Sequence, residues 1–453
     1  MTRRPDEHPL TFGQLSVWQI MRSYPLDRWS ETYLRATVPL PATTPLSRVP
    51  DALDELCSRH ESLRTRFAET PTGPVQRIAP VGGPAAVPVL TATVEQAVPA
   101  HAADEIARPR IDRATEFGHR FAIVTDRGRP THVALVVDHI VADGYGLRRL
   151  CAELSVLLGG DSADGTRWLA EHPPQPRELA AEQRSEVGRR RHDAAEKHWR
   201  ELMRTLPADL FPLPESAGET AGRVEAILRS PHTSPALATL AARTAVSPQN
   251  LLLALTALAT SEVTQRSEVV LTLQAGNRYS PRWRSIVSSM NQYAPLALDI
   301  GPNSASFADF AAGIQRSALR AYRLGSYDIV AITNLVQRER DIALGFDHFY
   351  NYMALGITPA PAHSPPSSYE PGTITEEPSP HRQIGPRLDI KVRNGPDVPV
   401  VIRADPRLLP PPALRALLSW YDRQLHRLAY GSAQTVGEIR RSCRHALAHR
   451  TAA

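Results

Sequence analysis

The chain has 453 residues, of which 42% are hydrophobic, 22% charged and 6% aromatic. That is about three times a typical single-domain core, so two large lobes are expected, with enough apolar material to bury cores without disulfides or metals. The net charge of +5 comes from 52 basic and 47 acidic residues; only Lys197 and Lys391 are lysines, and the 50 arginines are scattered, which argues against a nucleic-acid partner. Cys57, Cys151 and Cys443 are far apart, odd in number and without a CxxC pair. Neither a zinc knuckle nor a disulfide framework follows, and reduced thiols of a cytoplasmic protein fit best. The segment Met1 to Leu10 is charged and has no apolar signal region, and no apolar run approaches the roughly 18 residues that span a bilayer. A soluble protein with no membrane partner is expected.

Taken in order, the chain opens with an apolar-aromatic stretch from Leu10 to Trp18. Val49, Leu53, Leu56, Cys57 and His60 repeat at helical spacing, with Pro50 suited to a first turn. Leu63 to Phe67 reads as a strand, Thr70 to Pro74 as a turn, and Val75 to Ile78 as the return strand. Residues 80–90 read as a loop. Phe121–Val124 and His132–Val137 flank an Asp/Gly/Pro turn and make a hairpin, whose second strand is apolar on both faces and therefore central. That strand stops at Asp138-His139, and a helix follows Gly144 with Leu147, Leu150, Cys151 and Leu154 on one buried face. Gly159 to Arg177 reads as a loop that separates an N-terminal lobe, 1–172, from a C-terminal lobe, 173–453. Residues 178–206 read as one charged, mostly solvated helix. Ser247-Pro248 caps an apolar helix through about Ser261, and Val269–Leu273 is a buried strand. Residues 357–386 hold eight prolines, too many for regular structure. Leu388–Val392 and Val398–Ile402 are strands about an Asn394-Gly395-Pro396 turn, and Pro411 to about Ala429 is an amphipathic helix.

The stretch that carries chemistry is Asp138-His139-Ile140-Val141-Ala142-Asp143-Gly144. A central strand delivers a histidine and an aspartate, four apart, onto a short turn ending in glycine. An imidazole titrates near neutrality, so it can take a proton from an attacking amine or alcohol and return it. The aspartate can orient the ring or hold the turn. Glycine permits close backbone approach, so its N–H can face a developing oxyanion. A buried strand-end histidine without catalytic duty is the alternative at this spacing alone.

This stretch resembles the HHxxxDG motif of condensation domains from nonribosomal peptide synthetases, within the chloramphenicol acetyltransferase-like superfamily. Other motifs follow in the family's order. Arg59 to Phe67 fits RHExLRTxF, and Gln14 and Trp18 fit the opening motif. Ala275-Gly276-Asn277-Arg278 with Met290-Asn291-Gln292 is similar to the AGR…FVNT segment, and Tyr350-Asn351-Tyr352 to the FNY segment. The resemblance implies a mixed α/β (α+β) fold of two acetyltransferase-like lobes in a V-shaped pseudo-dimer, with the motif at their junction. It implies His139 as the catalytic residue and Asp143 as the holder of the turn, paired with Arg278. Gly144 completes the catalytic set, while Asp138, Asn291 and Tyr352 flank the substrate. The proline-rich stretch 357–386 resembles the family's latch, or a lid.

The family reading implies a freestanding acyltransferase of natural-product biosynthesis. It would join a carrier-bound acyl or aminoacyl thioester to an amine, or less readily an alcohol. No cofactor or metal is expected on the chain itself; substrates would arrive on the phosphopantetheine of a separate peptidyl or acyl carrier protein acting in trans. The acceptor would be a small-molecule amine or a second carrier-bound substrate. The departure is Asp138, which stands where the motif has its first histidine. A carboxylate that reached the His139 ring would favour the imidazolium and weaken a general base. Adjacent strand residues point to opposite faces, so that contact is not assured. Two alternatives follow: a non-catalytic module that binds carriers or recruits enzymes, and, since Asp138 and Asp143 keep the DxxxxD spacing, heterocyclisation. Heterocyclising domains lack the intervening histidine and carry a serine at the position of Gly146. Leu158-Gly159-Gly160-Asp161-Ser162 looks like a phosphopantetheine attachment site but reads as a turn in its context.

Overall fold

The computed structural model describes residues 6–81, 89–93, 99–126, 129–205, 223–341, 344–354, 357, 369–377 and 385–448. The chain groups into two compact units. The first comprises Met1–Ala195, Gly276–Gln292 and Ser326–Ile332; the second comprises Glu196–Ala275, Tyr293–Gly325 and Thr333–Ala453. The first unit thus runs past residue 172 and recruits two later segments, which no local sequence pattern signals.

The first unit carries two small sheets. One joins β1 (Asp6–Pro9) and β3 (Thr65–Ala68) to either side of β4 (Val75–Ile78), all antiparallel. The other has the order β2–β7–β6–β5, from β2 (Leu34–Pro39), β5 (Val89–Thr93), β6 (His119–Asp126) and β7 (Arg129–Val137). The hairpin expected from the sequence is β6–β7, with Phe121 opposite Leu135. Val133 to Val137 are all buried, because β7 lies between two strands and is covered on both faces. Ala134 and Val136 pack on Ala102, Ala103 and Ile106 of the helix Pro99–Ala107. The helix Gly144–Leu157 packs on β2 and against the helix Arg48–Arg59.

Several local expectations change. Leu10 to Trp18 is mostly helix: Phe12–Arg22 is capped by Thr11, and Gln14 closes a capping box with it. The motif glutamine therefore helps to cap the start of a helix. Glu61–Arg64 is a 3₁₀ turn, so the strand expected from Leu63 starts at Thr65. The expected loop Gly159–Arg177 contains a two-turn helix, Ala163–Leu169. Ser162 caps it by accepting from the Gly165 N–H at 3.1 Å, and Trp168 anchors it in the core. The serine of the Gly-Gly-Asp-Ser stretch is thus committed to a helix cap. The helix expected over 178–206 is two, Pro176–Arg184 and Glu186–Thr205, broken at Ser185; the second is mostly exposed and buries one stripe that includes Ala195, Trp199, Leu202 and Met203.

The second unit is built on a seven-stranded mixed sheet in the order β10–β9–β11–β13–β14–β8–β12. Its strands are β8 (Val224–Arg229), β9 (Glu268–Ala275), β10 (Gln292–Asp299), β11 (Phe349–Tyr352), β12 (Thr373–Glu377), β13 (Leu388–Val392) and β14 (Val400–Ala404). The apolar helix Pro248–Thr264, capped by Ser247, and the helix Pro411–Tyr430 contribute to its core with one face of the sheet, including Ile390, Ile402 and Ala226. The edge strand β12 corrects the expectation of no regular structure in 357–386. Between Pro371 and Pro378 the run Thr-Ile-Thr-Glu-Glu keeps every backbone N–H, and it pairs antiparallel with β8. Most of the expected loop 80–90, residues 82–88, the tip of the β6–β7 hairpin at 127–128 and most of the stretch 357–386 lie outside the described residues, and the last two positions of that loop, Val89 and Leu90, open β5 instead. Among the described residues, no helix is long and apolar enough to cross a membrane.

Candidate active site

β7 ends at Val137, and the Asp138 N–H still donates to the Gly118 carbonyl at 2.8 Å. The chain then turns: the Asp138 carbonyl accepts from the Val141 N–H at 2.9 Å, which leaves His139 in the turn between strand and helix. Ile140, Val141 and Ala142 are buried, while His139 is half-buried. Its Nδ1 is buried and has no hydrogen-bond partner among the described residues.

Asp143 caps the helix Gly144–Leu157. Its Oδ1 accepts from the Gly146 N–H at 2.9 Å and from Arg278 Nη2 at 2.7 Å; its Oδ2 accepts from the Met290 N–H at 3.1 Å. The expected Asp143–Arg278 pair is therefore an ion pair with further donors, and it joins the turn to the segment Gly276–Gln292. Arg278 does more than neutralise. Nη1 donates to the Ile286 carbonyl at 2.9 Å, Nη2 to the Ser288 carbonyl at 3.3 Å, and the guanidinium lies 4.7 Å over the Tyr145 ring. Asn277, in the left-handed backbone region, donates from its side chain to the Met290 carbonyl at 3.1 Å. Asn291 follows Met290, half-buried, in the same unit.

Gly144 is the first residue of the helix. Its N–H and that of Tyr145 belong to the first turn, where the helix itself offers no acceptor. Among the described residues, no atom other than those of its chain neighbours and its own helix backbone lies within 4 Å of where a Cβ on Gly144 would stand. Gly13 is the contrast: a Cβ there would overlap the Ser289 carbonyl and lie 2.9 Å from Met290 Cα. Packing thus demands glycine at 13 but not at 144.

Asp138 turns away from the role considered for it. Its carboxylate is fully buried and held by Arg113, Nε to Oδ2 and Nη2 to Oδ1, both at 2.7 Å. It is committed to an arginine that sequence reasoning did not single out. Tyr352 ends β11 in the second unit, with its hydroxyl pushed up to about 12 by burial. Asp138, His139, Asp143, Gly144, Arg278 and Asn291 all fall in the first unit.

A second network braces the same helix. Glu153, fully buried, accepts from Arg149 Nε at 2.6 Å and Arg59 Nε at 3.3 Å and bonds His60 Nε2 at 2.8 Å. Arg149 also donates to the Ser285 carbonyl, a further tie to the segment that carries Arg278. The Arg-His-Glu motif residues Arg59 and His60 thus belong to this brace. Among the described residues, no group of three or more His, Cys, Asp or Glu side chains is placed to hold a metal ion.

The condensation-domain family model matches residues 5–365. Phosphinothricin tripeptide synthetase PhsC of Streptomyces viridochromogenes is 27% identical over 334 residues, covering 70% of this chain and 30% of that protein. Chondramide synthase of Chondromyces crocatus is 36% identical over 195 residues, 40% of this chain and 5% of that protein. The chain spans less than a third of the length of these curated relatives. The condensation domain of the monacolin K polyketide synthase MokA is similar in structure, with a TM-score of 0.71 at 17% identity over 95% of this chain and 99% of that one. A likeness at that identity shows the fold.

Proposed function

Because this chain belongs to the condensation-domain family, we propose that it transfers an acyl or aminoacyl group from a carrier-bound thioester to an amine, forming an amide. The donor arrives on the phosphopantetheine of a carrier protein acting in trans. The acceptor is a small-molecule amine or a second carrier-bound substrate. An alcohol acceptor, giving an ester, is the lesser variant.

In this reading the amine nitrogen attacks the thioester carbonyl. The His139 imidazole takes the amine proton as the C–N bond forms and returns it to the departing pantetheine thiolate. The N–H groups of Gly144 and Tyr145 receive the tetrahedral oxyanion. A thioester is already activated, so positioning and a few well-aimed dipoles suffice. The observation that carries the proposal is the open space at Gly144, at the start of the helix, with a histidine in the turn before it whose Nδ1 has no partner among the described residues.

The test is a mass-spectrometric screen of carriers loaded with different acyl groups against amines and alcohols. Amide products support the assignment. Products confined to alcohols would replace amide by ester. Carrier binding with no product from any acceptor would favour a binding module, the reading that the loss of the first motif histidine to Asp138 invites.

A further inference from the structure

We infer that Asp138, oriented by Arg113, is a positioning residue for His139, so that its side-chain oxygen on the Ile140 N–H fixes the turn on which the histidine stands. The inference rests on the reading of His139 as the proton acceptor. A catalytic histidine is commonly oriented by an acceptor on its second nitrogen. Here the buried Nδ1 of His139 has no partner among the described residues. The direction of the ring is therefore left to the backbone of the turn.

That backbone is governed by Asp138. Its carbonyl accepts from the Val141 N–H at 2.9 Å and its carboxylate Oδ1 from the Ile140 N–H at 3.0 Å. The same Oδ1 accepts from Arg113 Nη2, and Oδ2 from Nε. A two-bond fork fixes the plane of the carboxylate as well as its position. A carboxylate can do this because each oxygen has more than one acceptor site, whereas a neutral imidazole at 138 would offer a single acceptor nitrogen. Arg113 is itself fixed. Its guanidinium lies 4.5 Å over the Trp29 ring, and its carbonyl accepts from the Phe67 N–H on β3 at 2.7 Å. With side chains 3% and 0% exposed, the pair is shielded from solvent. The turn also has no room to shift toward Gly118, where a Cβ would overlap Val141.

Single substitutions would strand a buried charge and risk the fold, so the test uses two double variants. Asp138→Asn with Arg113→Gln removes both charges but keeps an amide oxygen for the Ile140 N–H. Asp138→Ala with Arg113→Met removes the charges and the acceptor. The first is expected to keep kcat within about threefold of wild type, and the second to lose at least about thirtyfold in kcat with the acceptor KM within about threefold. In the second, amide hydrogen exchange over 138–142 should accelerate at least about tenfold while the unfolding midpoint holds. Wild-type kcat in the Ala/Met variant would overturn the inference. So would an equal loss in both variants, or a loss that follows the unfolding midpoint with exchange at the turn unchanged. If His139→Ala leaves the rate intact, the functional reading fails, and exchange over 138–142 still decides whether the clamp exists.

Discussion

Gly144→Ala separates fold from function at one position. The substitution adds a methyl at the first residue of the helix. Among the described residues, no atom beyond its chain neighbours and its own helix backbone lies within 4 Å of that methyl, and Gly144 is not among the residues with left-handed backbone, so alanine enters without clash or strain. Removing a glycine where its freedom is not used stabilises a protein by about 0.4–1 kcal/mol, through the unfolded chain. For a chain of this size that raises the melting temperature by less than about 3 °C. The same methyl stands at the N–H groups assigned to the oxyanion. Displacing a reacting carbonyl by about 1 Å costs roughly 100-fold in rate, or about 2.7 kcal/mol of transition-state stabilisation. Stability and rate should therefore move in opposite directions. Urea unfolding reads the first and single-turnover transfer from a loaded carrier the second. Gly13→Ala is the control: its methyl would overlap the Ser289 backbone, so it should lose stability. A Gly144→Ala protein that is unchanged in rate, or less stable than wild type, would refute the reasoning.

Other outcomes follow from the surrounding geometry. Asp143→Ala removes a helix cap and strands Arg278, which is 11% exposed, so it should cost about 3–5 kcal/mol in urea unfolding and abolish most transfer. Glu153→Gln tests acid stability. Burial opposes ionisation of Glu153, but the His60 hydrogen bond and the charges of His60 and Arg149 prevail and hold its carboxyl down at about 2. Because the folded value lies below the unfolded one, this contribution is present above about pH 4.5 and lost as pH falls toward 2. The wild type should lose on the order of 3 kcal/mol over that window and the glutamine variant correspondingly less, read by denaturation at stepped pH. Burial pushes the thiols of Cys57 and Cys151 up to about 12, and raises that of Cys443 as well. A thiol reagent at pH 8 should find no fast-reacting cysteine in the folded protein and three after unfolding.

Much of this site is legible in the sequence because its parts are local. The two-sided apolar run Val133–Val137, the polar stop at Asp138 and the leucine spacing after Gly144 fix a strand, a turn and a helix within 25 residues. Arg278 was within reach only through motif order, since nothing local to it signals Asp143, 135 residues away. Arg113 was not reached at all. A buried aspartate at the end of a central strand demands a cation, but 50 scattered arginines supply too many candidates, and the partner is set by how the segment after Pro109 returns to β6. The network of Glu153, His60 and Arg149 is out of reach for a similar reason: on a helix wheel Glu153 and Arg149 look like an ordinary surface pair at i, i+4 spacing, and it takes packing against the helices Arg48–Arg59 and Ala163–Leu169 to bury them. The helix at Ala163–Leu169 was hidden by its glycine-rich approach, although Ser162 and Trp168 were its cap and anchor. The strand at Thr373–Glu377 occupies the proline-free run between Pro371 and Pro378, a local signal that the proline density of the surrounding thirty residues masks.

The central claim is that the His139 imidazole moves the proton during acyl transfer. Single-turnover transfer from a loaded carrier to an amine, wild type against His139→Ala, tests it most directly. General-base assistance is typically worth 10²–10⁴-fold, so the alanine protein should transfer at least about 100-fold more slowly. Its carrier affinity and urea midpoint should be unchanged. Equal rates from the two proteins would contradict the claim.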